Sequence, residues 1–237
     1  MNYTQLFDTI KGYVENDFPD QDWTDTAGTG TDTLTGTEQV NTFIRQAEQR
    51  IYNSVQLPVE RKNVTGNATA GDKYLGLPSD WLSVYSLAVI DPTTQSQLFL
   101  LNKDVEYIRE CYPTPSVTGV PKYYAIYKGP NTPVGDVSTL ILGPTPDVDY
   151  DFELHYFYYP QSIVDNANGQ SWLGNNFDSV LLYGSLLEAY TFMKGEQDVL
   201  QNYTARYNEA LAMLKQLGEG KNRQDTYRTL QARYPVQ

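Results

Sequence analysis

Apolar residues recur every three or four positions near both ends of the chain, which is the spacing of one face of an α-helix. The spacing predicts helices over residues 3–14, 37–57 and 176–193. After Gly195 a further apolar seam predicts a fourth helix, with Leu200, Tyr203, Tyr207, Ala210, Leu214 and Leu217. We expect the last two helices to pack as an antiparallel pair. Their seam fits the floor of a monomer's core, which we favour, or a surface that meets another copy.

The second predicted helix has a clear start and a clear apolar stripe. Thr37 is expected to cap its first amides, and Pro58 closes it. Glu38 with Arg45, and Glu48 with Arg45 or Tyr52, are expected on the opposite, exposed flank as ordinary surface pairs. Before this helix, residues 20–36 are rich in Asp, Thr and Gly, and predict an exposed acidic loop or mobile hairpin.

The middle of the chain alternates apolar and polar residues between proline and glycine turns, which predicts antiparallel strands. The predicted strands cover residues 73–77, 82–90, 98–101, 122–128, 139–142 and 151–159, with helical turns at 104–111. The fold class is therefore α+β: an antiparallel-type helical bundle with an inserted antiparallel β-sheet domain and an extended C-terminal tail.

Four segments follow from this order of elements. Residues 1–60 hold the N-terminal bundle helices, and residues 61–170 the inserted β-rich domain. Residues 171–220 hold the C-terminal bundle helices, and residues 221–237 form the tail.

The net charge of −12 excludes a general nucleic-acid binder, which requires basic groups against phosphates. The charge is also unevenly distributed. Residues 1–40 hold eight acids against Lys11, whereas residues 221–237 hold four basic residues against Asp225. This asymmetry predicts different partners at opposite ends, although a solvated acidic face and a ragged basic tail fit it equally well.

The sequence carries no sign of a cofactor, a metal or a membrane span. Cys111 and His155 are the single cysteine and histidine, too few for a Cys/His zinc site. We expect synthesis in a reducing, intracellular place. No apolar run reaches the roughly 18 residues that a membrane helix needs.

Carboxylates at Asp149, Asp151 and Glu153 alternate along one predicted strand. They fit a solvated edge strand, or a general acid and base as in a glycosidase, but nothing selects two among the 29 acids. His155 is expected to pack in the interior. The aromatic run at residues 156–159 predicts half-buried tyrosines on a sheet or subunit interface, rather than a surface that stacks on bases or sugars.

From about residue 37 onward, several segments resemble tailed-phage head-to-tail adaptor proteins of the podovirus type. More distantly, the chain is similar to tail tubular adaptor proteins of short-tailed phages. The segments that carry the resemblance are FIRQAEQRIYNSVQLP (43–58), LGLPSDWLSV (75–84), YIRECYP (107–113), TGVPKYYAIY (118–127), LILGPTPDVDYDFELHYFYYP (140–160), SWLGNNFDSVLLYGSLLEAYTFMKGEQD (171–198) and LGEGKNRQDTYR (217–228).

This resemblance implies a structural protein and not an enzyme. Such adaptors form a dodecameric ring beneath the portal, extend the DNA channel without sequence-specific DNA binding, and present a platform for the tail nozzle or tube. The implied place is the head-to-tail junction of the virion, after synthesis in the bacterial host cytoplasm. No role is transferred to residues 20–36.

The resemblance also implies that the C-terminal tail reaches the portal. It provides apolar anchors and positive charges, but too few apolar groups to fold alone, so we expect it to order against a partner or to stay disordered. The implied portal-binding residues are Arg223, Tyr227, Arg228, Leu230, Arg233 and Tyr234.

Two other functions fit the sequence. One is a tail-completion or receptor-binding module elsewhere in the virion. The other is a glycan hydrolase that uses two carboxylates.

Overall fold

A computed structural model describes residues 1–24, 31–128 and 138–228, and over 219–228 only the backbone. The chain divides into a helical unit, residues 1–59 and 160–237, and a β unit, residues 60–159. The helices are α1 (Tyr3–Val14), α2 (Gly36–Ser54), α3 (Val105–Cys111), α4 (Trp172–Asn176), α5 (Asp178–Phe192) and α6 (Gln197–Arg228). The mixed α+β class is confirmed.

The strands are short and mostly antiparallel. They are β1 (Gln21–Thr24), β2 (Thr31–Leu34), β3 (Arg61–Ala68), β4 (Tyr74–Gly76), β5 (Ser83–Ile90), β6 (Gln97–Phe99), β7 (Leu101–Asn102), β8 (Tyr123–Lys128), β9 (Ser138–Gly143) and β10 (Tyr150–Phe157). The pair β7 and β8 is parallel, and the other paired strands are antiparallel.

Helix α5 is the centre of the helical unit. Its buried residues are spread over most of its circumference, as expected for a helix packed against several others, and it contacts α1, α2, α4 and α6. The rings of Phe43 and Phe192 lie 5.2 Å apart, and those of Tyr190 and Tyr203 lie 5.1 Å apart. A Cβ at Gly184 would lie 3.2 Å from the Cβ of Ala47 and 3.3 Å from the Tyr207 ring. These contacts make α5 antiparallel to both α2 and α6.

The start of α2 differs from the prediction by two residues. Thr35, and not Thr37, is the N-cap: its side chain accepts the Glu38 amide, while the Glu38 carboxylate accepts the Thr35 amide. A Cβ at Gly36 would lie 1.9 Å from the backbone oxygen of Phe18, so the first helical position needs glycine. Thr35 lies three residues before Glu38, which is the capping-box spacing, whereas the prediction used Thr37 because Glu38 and Gln39 follow it directly.

Glu48 is buried, against the prediction that it lies on the exposed flank of α2. Its side chain is 3 % exposed, and Oε1 accepts the backbone N–H of Ile163 at 3.0 Å. Arg45 instead pairs with Asp165, at 2.5 Å between Nη2 and Oδ1. The segment after residue 160 covers this flank of α2, which the periodicity of α2 alone does not reveal.

The acidic segment before α2 contains an antiparallel hairpin of β1 and β2. The Thr33 hydroxyl donates to Asp22 Oδ1 at 2.6 Å. The prediction of a loop or hairpin is therefore confirmed at its two strands, and residues 25–30 lie outside the described ranges.

The β unit contains two four-stranded sheets with strand orders β3-β10-β5-β6 and β4-β9-β8-β7. Side chains of both sheets share one core, with Leu87, Phe152, Leu154 and Tyr156 from the first and Leu140 from the second. Helix α3 covers the opposite face of the second sheet. Strand β3 was missed because its sequence, RKNVTGNA, has little apolar alternation.

The C-terminal helix is longer than expected. The extended tail was predicted from residue 221, but the backbone of α6 is helical to Arg228. Residues 221–228 contain neither proline nor glycine, so helix propensity does not oppose this continuation.

Candidate assembly surfaces

The predicted seam of α6 lies in the core of the helical unit. Tyr207, Ala210 and Leu214 are buried against the cluster around α5, and Leu200 and Tyr203 pack at its border. The core interpretation of this seam therefore holds within the helical unit. Burial raises the pKa of the Tyr207 hydroxyl above its ordinary value.

Past this seam, the backbone of α6 continues to Arg228. A Cβ at Gly218 would lie 3.0 Å from the backbone oxygen of Gln56, so α6 passes beside the segment that follows α2. From Gly218 to Arg228 the backbone remains helical for ten residues, which is about 15 Å.

The predicted portal-binding residues fall into two groups along this C-terminal part. Arg223, Tyr227 and Arg228 lie on the backbone helix of α6. Leu230, Arg233 and Tyr234 lie outside the described residues. The structure therefore gives no common surface for the six, and their binding role stays a prediction.

A groove that the sequence did not reveal opens in the helical unit between the end of β2, the first half of α2 and the end of α5. We call it the Phe192 groove. Its volume is about 300 Å³ and its wall is mainly apolar. Its lining residues include Leu34, Thr42, Phe43, Gln46, Glu188 and Phe192. Phe192 is 44 % exposed there.

The floor of the Phe192 groove is held by a buried polar side chain. Gln39 is 2 % exposed, and its Nε2 donates to the backbone oxygens of Pro19 and Leu34 at 3.0 and 3.3 Å. These two hydrogen bonds fasten both ends of the β1–β2 hairpin segment to α2. The Phe192 groove is consequently preformed rather than a gap between loose segments.

The chain beside the Phe192 groove is strongly acidic. Residues 12–44, which contain the hairpin and the groove-lining first half of α2, hold seven acids and no lysine or arginine. At the other wall Glu188 forms an ion pair with Arg50. A ligand in the Phe192 groove thus meets the apolar side chains of Leu34, Phe43 and Phe192 and the carboxylate of Glu188.

The alternating carboxylates lie on the outer face of the first sheet of the β unit, but not on an edge strand. Strand β10 pairs with β3 on one side and with β5 on the other. Glu153 accepts Asn63 Nδ2 at 2.7 Å and Gln97 Nε2 at 3.0 Å. The prediction that these carboxylates lie on an edge strand is wrong, because β3, a strand that was not predicted, pairs with one side of β10.

His155 does not pack in the interior as predicted. Its side chain is 41 % exposed, and Nε2 lies 3.5 Å from Glu153 Oε1. Both residues belong to the polar face of β10, opposite Phe152, Leu154 and Tyr156, and the strand period of two puts them there. Glu153 is thus held in a structural hydrogen-bond network across three strands.

The aromatic run at the end of β10 is divided between core and surface. Tyr156 is 1 % exposed and its hydroxyl donates to Asp80 at 2.9 Å. Phe157 packs edge-on against Tyr85 with ring centres 5.7 Å apart, and the Arg61 guanidinium lies 4.6 Å from the centre of the Tyr85 ring. The aromatic side chains therefore pack on the sheet, which is one of the two predicted places, a sheet or a subunit interface.

Neither a metal cluster nor a membrane helix is found in the described ranges. Among those residues no three His, Cys, Asp or Glu side chains are grouped so that they can hold an ion. No described helix has the length and apolar character needed to cross a membrane. Cys111 is a free, exposed thiol.

The chain belongs to the SU10 adaptor protein family, which matches residues 1–233 and is a family of phage head-to-tail adaptors. The resemblance to tailed-phage adaptors is thereby confirmed. No curated protein matches the chain. Family membership gives the chain a structural role as a phage adaptor in the virion.

Proposed function

We propose that this adaptor forms a ring, dodecameric like the portal, between the portal and the tail nozzle or tube of a tailed phage. The ring extends the channel through which DNA leaves the head. Membership of the adaptor family is the observation that carries this proposal.

In this proposal the C-terminal segment docks on the portal. Helix α6 leaves the core near Gly218, and its backbone continues about 15 Å further as a helix. Residues 221–237 carry four basic residues and one acid, together with Tyr227, Leu230 and Tyr234 as apolar anchors. A short segment of this kind gains affinity when identical contacts are repeated around a ring.

The acidic body of the adaptor suits a DNA channel. A wall that carried many lysines and arginines would hold the phosphate backbone, whereas a net charge of −12 disfavours such binding. DNA then passes through the lumen without sequence-specific contacts.

Portal binding tests this function directly. Purified protein is mixed with assembled portal, and the mass of the complex is measured for the full chain and for a chain that ends at Asn222. The full chain is expected to add a ring of copies to the portal, and the shortened chain to add none.

The matched control keeps the length of the segment and changes residues that are not among the predicted anchors. The double variant Gln224→Ala with Gln231→Ala should bind the portal like the unchanged chain. If the shortened chain binds as well as the full one, the C-terminal segment is not the docking element. If neither binds, the protein acts elsewhere in the virion, as the tail-completion alternative states.

A further inference from the structure

We propose that the Phe192 groove binds the C-terminal segment, residues 229–237, of a second copy of this chain. Leu230 and Tyr234 enter the groove, and Arg233 lies against the acidic residues beside it. This self-association goes beyond the portal docking proposed above and does not depend on it.

The Phe192 groove offers what apolar anchors need. Phe192 and Phe43 form a ring pair at 5.2 Å, of which Phe43 is 5 % and Phe192 is 44 % exposed. Covering the exposed ring removes apolar surface from water, the main favourable term in association. Leucine and tyrosine are suitable anchors because both bury a large apolar area, and tyrosine keeps a polar tip at the rim.

Charge complementarity selects the C-terminal segment as the occupant. Leu34 and the first half of α2 line the groove, and they belong to a stretch of sequence, residues 12–44, that holds seven acids and no basic residue. The occupant, residues 229–237, holds Arg233 and no acidic side chain. Its side-chain charge is therefore opposite in sign to that of the acidic stretch, and opposite charges attract each other on approach.

The groove and the C-terminal segment of one chain lie too far apart to meet. Helix α6 runs parallel to α2, because both are antiparallel to α5, and it leaves at the end of α2 remote from the groove. The eleven residues from Phe43 to Ser54 span about 16 Å, and the ten from Gly218 to Arg228 add about 15 Å.

The residues after Arg228 cannot return over this distance of about 30 Å. A fully extended chain covers at most about 3.5 Å per residue, so Leu230 reaches about 7 Å and Tyr234 about 21 Å from Arg228. The occupant of the groove therefore comes from another copy. The resulting contact joins two different surfaces, so it is heterologous and forms chains or rings.

The C-terminal segment then has two binding partners that compete for it, the groove of a neighbouring copy and the portal. A segment held in the groove of a neighbouring copy is not available to the portal, and docking on the portal releases the groove. Before the virion assembles, self-association thus keeps the segment bound in the groove and unavailable to the portal.

Two variants that each lack one half of the contact test the inference without any portal. Phe192→Lys removes the ring and adds a positive charge to the groove, and Leu230→Ala with Tyr234→Ala removes both anchors. Sedimentation velocity should show assemblies for the unchanged chain and monomers for either variant alone. An equimolar mixture of the two variants should form heterodimers and nothing larger, because only one intact contact is possible.

Matched variants control for folding and for unspecific effects. Met213→Lys places the same charge on another exposed apolar position, in α6, where Met213 is 59 % exposed, and Gln231→Ala changes the segment between its anchors. Both should assemble like the unchanged chain, and circular dichroism should show the same helix content in all variants.

Three results would overturn the inference: an unchanged chain that stays monomeric, variants that assemble like it, or a mixture that stays monomeric. Portal binding is measured separately by the mass of the portal complex. A chain that assembles through its groove but does not bind portal contradicts the proposed function alone. A chain that binds portal but fails the mixing experiment contradicts only this inference.

Discussion

Glu48 is a buried carboxyl with one strong partner. Oε1 accepts the Ile163 amide, while Oε2 is buried without a hydrogen-bond partner among the described residues. Burial raises the pKa of Glu48 above its ordinary value of 4.5, and the hydrogen bonds oppose this only in part. The protonated form of this side chain is therefore more favourable in the folded protein than in the unfolded chain.

This burial makes the helical unit less stable as the pH rises. Below about pH 4.5 Glu48 is protonated in both the folded and the unfolded state, so it does not make the free energy of unfolding depend on pH. Between pH 4.5 and the raised pKa of the folded state, the unfolded chain loses its proton first, so unfolding becomes more favourable.

Glu48→Gln should therefore stabilise the protein more at neutral pH than in acid, because glutamine keeps an acceptor for Ile163 and never ionises. Urea unfolding, followed by the helix signal in circular dichroism, should show little difference from the unchanged chain near about pH 4 and a gain near about pH 7. The exposed Glu209→Gln is the control, and it should follow the unchanged chain. A gain that is equal at both pH values would contradict the burial effect.

Single-residue environments were the hardest part to predict. Glu48 was expected on the surface because the period of α2 describes one helix, whereas its burial depends on the segment after residue 160. The prediction that His155 is buried was wrong for a different reason. Its aromatic neighbours in the sequence lie on the other face of β10, because successive residues of a strand alternate between faces. Such contacts are long-range, and local pattern carries no signal for them.

The start of α2 provides the sharpest test of an element boundary. Thr35→Ala removes the cap and should lower the free energy of unfolding by about 1 kcal/mol. Thr37→Ala, at the N-cap predicted from the sequence, leaves the capping box intact. It should change the free energy of unfolding by only a few tenths of a kcal/mol, about the size of a helix-propensity difference. Both are measured by denaturant unfolding under the same conditions. Equal losses in the two variants would contradict the assignment of Thr35 as N-cap.

Elements with a strong apolar period were predicted well. The stripes of α1, α2 and α5 and the alternation in β5 and β10 are clear in the sequence, and the predicted segments lie within a few residues of the observed ones. Strand β3 was missed because it is held by its pairing with β10, residue by residue from Arg61 to Ala68, rather than by apolar side chains of its own.

The candidate surfaces depend on the whole molecule and were only partly predictable. Charge asymmetry and the C-terminal anchors are properties of the sequence and can be read directly. The Phe192 groove is not, because it joins β2 and α2 to α5, which lies about 150 residues further along the chain. Its position also shows that the C-terminal segment of the same copy cannot fill it, which no pattern in the sequence indicates.

The proposed contact between copies should respond to salt, because it joins a basic segment to an acidic region at the surface. Charges at such a surface act over about 10 Å at 0.1 M salt and about 3 Å at 1 M salt. Sedimentation velocity should therefore show weaker assembly in concentrated salt. Arg233→Gln should lessen this salt dependence, while Leu230→Ala should weaken assembly at every salt concentration, since it removes apolar contact. Assembly that strengthens with salt would show that apolar burial alone drives the contact, and the charge argument for the C-terminal segment would fail.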